Sequence, residues 1–382
     1  MTNRFLLNLI KSTLTKSEPE WQEYNEEELF KTACVQQVHL LSYPALSKLE
    51  EDKRPSPALM QKWKNLFTIT SFNFANFFNF ITHILNKLEE KCIPVLLLKG
   101  SVYRELYPSP ELRTMGDVDL LMRPQDMDEF GEIIAEFGYT LEDSKHSGEF
   151  DRKYHAKGKP CIEVFATLEE DFGKNYTDKY EKDVLPYRNY KYIKRLAVLP
   201  SIVHHVAHFA KHFYGHGAGC RFLADLYVLL TKTEFDFSAL VEEIKSIGCY
   251  KFFLTSIAVL EKYFGYVPPI SLPPVEEKLR EQFLDYILRY GIYGDLESSS
   301  IVKSKMRKKG GKLKLIFSAL FPAPSIIKGK YAFVRKCPIL LPIGWFKWIF
   351  DILAHPKRIA KNISYISGDA GNDIKLYKAL ED

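Results

Sequence analysis

The sequence predicts an α+β fold, with a small mixed β-sheet core flanked by an N-terminal helical segment and a C-terminal helical domain. Three observations support this prediction. Apolar residues recur at helical spacing before residue 90 and again after about residue 196. Between them, short apolar runs alternate with turn residues, as strands do. The length of 382 residues is enough for two or three domains.

The compositional changes along the chain divide it into four regions. We expect an N-terminal helical segment at 1–90, a β-sheet core at 91–195, a helical domain at 196–300, and a basic and aromatic region at 301–382. Within the first region, we predict a helix from Glu26 to Leu49 that Pro44 ends or kinks.

The overall composition excludes several classes of protein. The apolar fraction of 46% suits a globular core, and the net charge of +5 is mild. Six scattered cysteines without a C-x-x-C pair argue against a zinc ribbon or a disulfide scaffold and favour a reducing compartment. No signal peptide or transmembrane run is recognised. We therefore expect a cytoplasmic protein.

The most informative stretch runs from Leu96 to Met122. An apolar strand ends at the turn Lys99-Gly100-Ser101, where glycine lets the backbone bend and a ligand approach. A second strand follows from Asp117 to Met122. Because side chains two apart on a strand share a face, Asp117 and Asp119 lie side by side. Two adjacent carboxylates favour a cation between them, and Mg²⁺ prefers oxygen ligands.

These residues resemble a bacterial family of uncharacterised nucleotidyltransferases in the DNA polymerase beta-like superfamily. The matching elements are Leu98-Lys99-Gly100, Leu106-Tyr107, Arg113 and Asp117-Val118-Asp119-Leu120-Leu121. The resemblance implies metal-dependent transfer of a nucleoside monophosphate from a nucleoside triphosphate (NTP) to an acceptor.

The resemblance also implies roles for individual residues. Asp117 and Asp119 would bind one or two Mg²⁺ (or Mn²⁺) ions. The glycine turn would bind the phosphates, with Lys99, Gly100, Ser101 and Arg113 as the nucleotide-binding residues.

A predicted hairpin supplies a third carboxylate. Strands at 149–156 and 161–166 flank the turn at 157–160, and Glu163 lies on the return strand. The superfamily places a third carboxylate on a strand beside the D-x-D strand, and Glu163 matches it. We expect Glu163 to be a catalytic metal ligand and to accept a proton from the acceptor hydroxyl. The alternative is an ordinary exposed strand residue.

The helical domain carries a second group of polar residues. His208 and His212 lie four apart on one predicted helix face, and Arg221 and Asp225 follow. The resembling family has a similar helix followed by an arginine and an aspartate, which implies contact with the nucleotide or the acceptor. Structural hydrogen bonding and a zinc site are the alternatives.

The C-terminal region is basic and aromatic. Between Ser298 and Phe350 there is no Asp or Glu, and lysine and arginine are concentrated at 303–314. This composition predicts either a peripheral contact with an anionic membrane through 301–355, at the inner membrane face, or RNA binding. The third interpretation is a solvated linker followed by packed elements.

Two functions therefore follow from the sequence. The first is a nucleotidyltransferase that uses Mg²⁺-NTP, with ATP as the default, and an unidentified small-molecule, sugar, peptide or protein acceptor. The second is a non-catalytic nucleotide- or partner-binding protein, regulatory or antitoxin-like, on the same fold. No templated nucleic acid is expected, and no P-loop or kinase motif is present.

Overall fold

The computed structural model describes residues 2–142, 152–168, 179–180, 182–215, 217–291, 337–353 and 370–382, with individual positions between 321 and 334. The predicted basic cluster at 303–314 lies outside the described residues. The α+β prediction is confirmed: the described strands form one mixed sheet, and helices precede and follow it.

Most of the described helices precede or follow the strands in the sequence. They are α1 (Thr2–Thr15), α2 (Glu26–Val35), α3 (His39–Leu46), α4 (Pro57–Glu90), α5 (Gly100–Tyr103), α6 (Met127–Glu136), α7 (Val198–Gly215), α8 (Cys220–Lys232), α9 (Phe237–Ser246), α10 (Tyr250–Phe264), α11 (Glu277–Tyr290), α12 (Leu341–Leu353) and α13 (Ala370–Leu380). None of them, within the part of the chain that is described, combines the length and apolar character needed to cross a bilayer.

The sheet contains seven strands in the order β3-β4-β5-β2-β1-β7-β6. They are β1 (Val95–Leu97), β2 (Asp117–Leu121), β3 (Thr140–Leu141), β4 (Arg152–His155), β5 (Cys161–Phe165), β6 (Val184–Pro186) and β7 (Ile193–Leu196). Strand β2 is antiparallel to β1 and parallel to β5. The predicted hairpin is confirmed as β4 and β5, which pair in antiparallel register.

The sheet separates two hydrophobic cores because alternate strand residues point to opposite faces. Val118 and Leu120 of β2 pack in one core with the C-terminal half of α4 and with α6. Leu96 of β1 and Leu121 of β2 point the other way, into a larger core that also contains residues of α1, α7, α8, α10 and α11. Asp117 and Asp119 therefore lie on the face turned away from α4 and α6.

The prediction of one continuous helix from Glu26 to Leu49 is wrong, and Pro44 does not end a helix. The chain breaks earlier, between α2 and α3, where Gln37 adopts a left-handed conformation with φ of 54°. Pro44 lies inside α3, which continues to Leu46. The break is stabilised by tertiary contacts of Gln36, whose fully buried side chain bonds to the backbone of α8 and α11. Local sequence does not reveal these contacts.

Candidate active site

The glycine turn lies between β1 and α5. Lys99 has a φ of 48° and a ψ of −125°, a conformation that costs free energy for a residue with a Cβ. Gly100 is buried, and an added Cβ would lie 2.1 Å from Nη1 of Arg113. Glycine is therefore required here because the Arg113 guanidinium packs directly on its Cα.

The three predicted carboxylates lie on two neighbouring strands. Asp117 and Asp119 are on β2, and the parallel register of β2 with β5 places Glu163 opposite Asp119 and Cys161 opposite Asp117. Side chains opposite each other in paired strands share a face. Asp117, Asp119 and Glu163 therefore converge on one face of the sheet.

Two lysines bond to these carboxylates. Nζ of Lys99 lies 2.9 Å from Oδ1 of Asp119, and both side chains are largely buried. Nζ of Lys153 on β4 lies 2.6 Å from Oε1 of Glu163, and this lysine is about half exposed. Burial raises the pKa of Asp119 to about 6; the negative charges of Asp117 and Glu163 add to the rise, and Lys99 opposes it.

The oxygen atoms of these carboxylates are suitable ligands for a divalent cation. Within the described ranges, no three His, Cys, Asp or Glu side chains are close enough together to form a metal cluster. Burial is the main cause of the raised pKa of Asp119, and the negative charges of Asp117 and Glu163 add to it against the opposing charge of Lys99. Carboxylate oxygens are the ligands that Mg²⁺ prefers. Asp117 and Asp119 thus have the charge and the ligand type for this ion.

Arg113 lies in a buried ion pair rather than at the surface. Its Nε donates to Oδ1 of Asp225 at 3.1 Å and its Nη2 donates to Oδ2 at 2.8 Å. The third nitrogen, Nη1, donates to the carbonyl of Thr114 at 3.2 Å. The hydroxyl of Tyr107 also donates to Oδ1 of Asp225, at 2.7 Å. Burial by itself would raise the pKa of Asp225, but Arg113 holds it below its ordinary value.

Arg221 extends this buried network to the N-terminal helices. Its Nη1 donates to Oε1 of Gln37 at 2.6 Å and to the carbonyl of Thr114 at 3.0 Å. Burial and the neighbouring positive charge of Arg113 lower the pKa of Arg221. The loop before β2 is therefore tied both to α8 and to the α2–α3 connection, which fixes the start of the strand that carries Asp117.

His208 and His212 lie on α7. The centroids of their rings are 4.4 Å apart, and they lie 5.8 and 5.3 Å, respectively, from the ring centroid of Phe222 on α8. These contacts place both histidines at the α7–α8 interface.

Apart from the two histidines at the α7–α8 interface, the structure divides the predicted charged site residues into two groups. Lys99, Asp117, Asp119 and Glu163 lie together at the sheet, whereas Arg113, Arg221 and Asp225 form the network behind the glycine turn. Sequence reasoning missed Lys153 as the partner of Glu163. Counted back from the predicted turn at 157–160, Glu163 would lie opposite Tyr154, whereas the observed register is shifted by one residue and places it opposite Lys153.

Sequence reasoning also missed three features of the buried network behind the glycine turn. They are the roles of Gln37 and Thr114 and the hydrogen bond from Tyr107 to Asp225. Tyr107 matched a family motif, but its partner lies 118 positions further along the chain. No local pattern links residues so far apart.

The chain matches a known protein family over most of its length. A protein family described as "uncharacterised nucleotidyltransferase" matches residues 22–265, about two-thirds of the chain. The match includes the glycine turn, the D-x-D strand, Glu163 and helices α7 to α10. The chain belongs to this nucleotidyltransferase family, and the family class implies a transferase that binds a nucleotide.

Searches against individual proteins add little. No curated protein matches the chain. One solved structure with some likeness is that of the antibiotic-resistance factor ANT(2'')-Ia, at 12% identity and a TM-score of 0.32. The alignment covers 48% of this chain and 95% of that one. A likeness at this level supports no conclusion about the substrate.

Proposed function

We propose that this protein transfers the nucleoside monophosphate of a Mg²⁺-NTP to a hydroxyl group of an acceptor, with ATP as the default donor. The main support is the strand register that places Glu163 directly opposite Asp119, beside Asp117. In the reaction, the acceptor oxygen bonds to the α-phosphorus, the bond to the β-phosphate oxygen breaks, and pyrophosphate leaves.

Asp117 and Asp119 are the proposed ligands of Mg²⁺, for which Mn²⁺ can substitute, and Glu163 completes the set. When bound, such an ion neutralises phosphate charge and orients the triphosphate for in-line displacement. Glu163, which is only partly buried, is also our candidate for accepting the proton of the acceptor hydroxyl.

The glycine turn is the proposed phosphate site. Lys99 carries a positive charge beside Asp119, and the N–H groups of Gly100 and Ser101 precede the first hydrogen bonds of α5, which Val102 and Tyr103 donate to the carbonyl of Lys99. The hydroxyl of Ser101 is buried and has no hydrogen-bond partner among the residues that the structure describes. Together these groups offer a cation and several donors to phosphate oxygens.

Arg113 and Asp225 are proposed to position the site rather than to contact the phosphates. All three nitrogen atoms of the Arg113 guanidinium donate to protein oxygens, and its contact with Gly100 sets the shape of the turn. Arg221 supports the same loop. His208 and His212, at the interface of α7 and α8, remain our candidates for acceptor contacts.

The test uses NTPs labelled at different phosphates. Purified protein is incubated with Mg²⁺, a pool of small metabolites or proteins as acceptors, and NTP labelled at the α- or the γ-phosphate. We expect α-label to appear in a product, with pyrophosphate released. The Glu163→Gln variant should lose this transfer. Transfer of γ-label would instead indicate a kinase.

A separate outcome identifies the alternative function. If the protein binds Mg²⁺-NTP but neither transfers label nor releases pyrophosphate with any acceptor pool, it is better described as a nucleotide- or partner-binding protein of regulatory type. The pools should therefore include hydroxylated metabolites, sugars, peptides and whole-cell protein.

A further inference from the structure

Helix α12 has an exposed apolar face outside the region matched by the family. The exposed fractions of Ile339, Ile343, Phe346 and Phe350 are 86%, 55%, 75% and 73%. Their spacing of four, three and four residues places them on one side of α12 and of the turn that leads into it. We call these four side chains the outer face. The surface of a soluble protein rarely groups so many large apolar side chains unless they bind a partner.

Contacts on the opposite side fix the direction of the outer face. Gly344 packs so closely that an added Cβ would lie 2.6 Å from Cγ2 of Ile327 and 2.8 Å from Cγ2 of Val334. The hydroxyl of Tyr331 donates to Oδ2 of Asp351 at 2.7 Å. Because these contacts hold the inner side of α12, the exposed phenylalanines point away from the small core around Ile327.

The surrounding sequence has the charge that a negative surface would attract. Between Ser298 and Phe350 there are twelve lysine and arginine residues and no aspartate or glutamate. Lys347 is exposed within α12 itself, between Phe346 and the next turn. Trp345 and Trp348 pack against the small core on the inner side of α12 and do not belong to the outer face. A protein partner would need acidic residues to match this charge, whereas an anionic bilayer presents negative charge over its whole surface.

We infer that the outer face docks on an anionic phospholipid bilayer as a peripheral membrane anchor. Helix α12 would lie in the plane of the interface, with Phe346 and Phe350 inserted at the level of the acyl chains and Lys347 close to the lipid phosphates. This inference is independent of the proposed transferase reaction, because it uses a different part of the chain.

Vesicle sedimentation of the full-length protein tests this inference. The probes are vesicles of phosphatidylcholine alone and of phosphatidylcholine mixed with phosphatidylglycerol. We expect binding to the mixed vesicles that weakens with added salt, because salt screens the charges. The Phe346→Ser/Phe350→Ser variant should bind the mixed vesicles at least about tenfold more weakly than the wild type, because two large apolar side chains are lost.

The matched control is Ile69→Ser/Phe72→Ser. Both residues lie on α4 and are similarly exposed, so the variant removes comparable apolar surface elsewhere. It should bind as the wild type does. The inference is overturned if the wild type does not bind mixed vesicles, or if the Phe346→Ser/Phe350→Ser variant binds them equally well. Self-association through the outer face without vesicle binding would also overturn it.

Discussion

At the scale of single residues, Gly100 leaves no room for a side chain unless Arg113 moves. We predict that Gly100→Ala destabilises the fold by about 1–3 kcal/mol, because the new Cβ would overlap the Arg113 guanidinium. Displacing Arg113 should also weaken NTP binding. Urea denaturation and calorimetric titration measure the two effects.

Gly215 supplies the control for this substitution. It lies at the end of α7, and a Cβ added there would meet nothing within 4 Å. Gly215→Ala should leave both stability and NTP binding unchanged. If Gly100→Ala behaves in the same way, Arg113 does not pack on the turn as described.

Asp225 neutralises the buried charge of Arg113. Removing the carboxylate in Asp225→Ala should cost about 3–5 kcal/mol of stability at neutral pH, because Arg113 is left buried without a counter-charge. The exposed pair of Lys245 and Glu242 is the control, and Glu242→Ala should leave the stability close to that of the wild type. Denaturant titrations at neutral pH provide the comparison.

The ion pair of Arg113 and Asp225 also predicts that the stability of the protein depends on pH. The pKa of Asp225 is lower in the folded protein than its ordinary value. Its stabilisation is therefore complete above about pH 4, near the pKa of an unfolded aspartate, and is lost as the pH falls through the lower folded value. The stability difference between wild type and Asp225→Ala should narrow in acid. A stability difference that stays constant from pH 7 to pH 3 would contradict the lowered pKa of Asp225.

At the scale of elements, Gln36 joins the ends of two helices. Its Nε2 donates to the carbonyls of Ile287 and Leu288 at the end of α11, and its Oε1 accepts from the N–H of Cys220 at the start of α8. Helix ends leave backbone groups such as the Leu288 carbonyl and the Cys220 N–H without intrahelical partners, whereas the Ile287 carbonyl also accepts from the N–H of Gly291. Gln36→Leu should therefore cost about 1–3 kcal/mol for each group left unsatisfied.

The control for this prediction is Gln61→Leu on the exposed face of α4, where the side chain bonds only to Asn65 among the described residues. It should be close to neutral. Equal stability losses in Gln36→Leu and Gln61→Leu, measured by urea denaturation, would show that Gln36 does not have this joining role.

The elements at the sheet were predictable because their signals are local. Alternation in Asp117 to Leu121 placed both aspartates on one face, and the turn at 157–160 defined the hairpin that carries Glu163. Local signals do not report partners distant in the chain. The ion pair of Arg113 with Asp225 joins residues 112 positions apart, so sequence alone suggested a phosphate contact for Arg113.

At the scale of the whole molecule, the C-terminal helix α13 completes the larger core. Tyr377 and Leu380 are buried, the hydroxyls of Tyr377 and Tyr286 lie 2.6 Å apart, and the Asp382 carboxylate accepts from the N–H groups of Tyr250 and Lys251 at the start of α10. Deleting residues 370–382 should lower stability by at least about 3 kcal/mol.

The control keeps the helix and changes only its surface. Lys375 and Lys378 are exposed on α13, and Lys375→Ala/Lys378→Ala should unfold near the wild-type temperature. Differential scanning calorimetry measures both variants. An unchanged melting temperature after the deletion would mean that α13 does not contribute to the core.

The central claim is that Asp117 and Asp119 hold a metal–nucleotide complex, and calorimetric titration of NTP tests it most directly. We predict that one NTP binds the wild type with Mg²⁺ but not with EDTA, and that Asp117→Asn/Asp119→Asn abolishes this binding. Asp126→Asn/Asp128→Asn changes a second D-x-D outside the sheet and should bind normally. Metal-independent binding, or equal binding by the Asp117→Asn/Asp119→Asn variant, would contradict the claim.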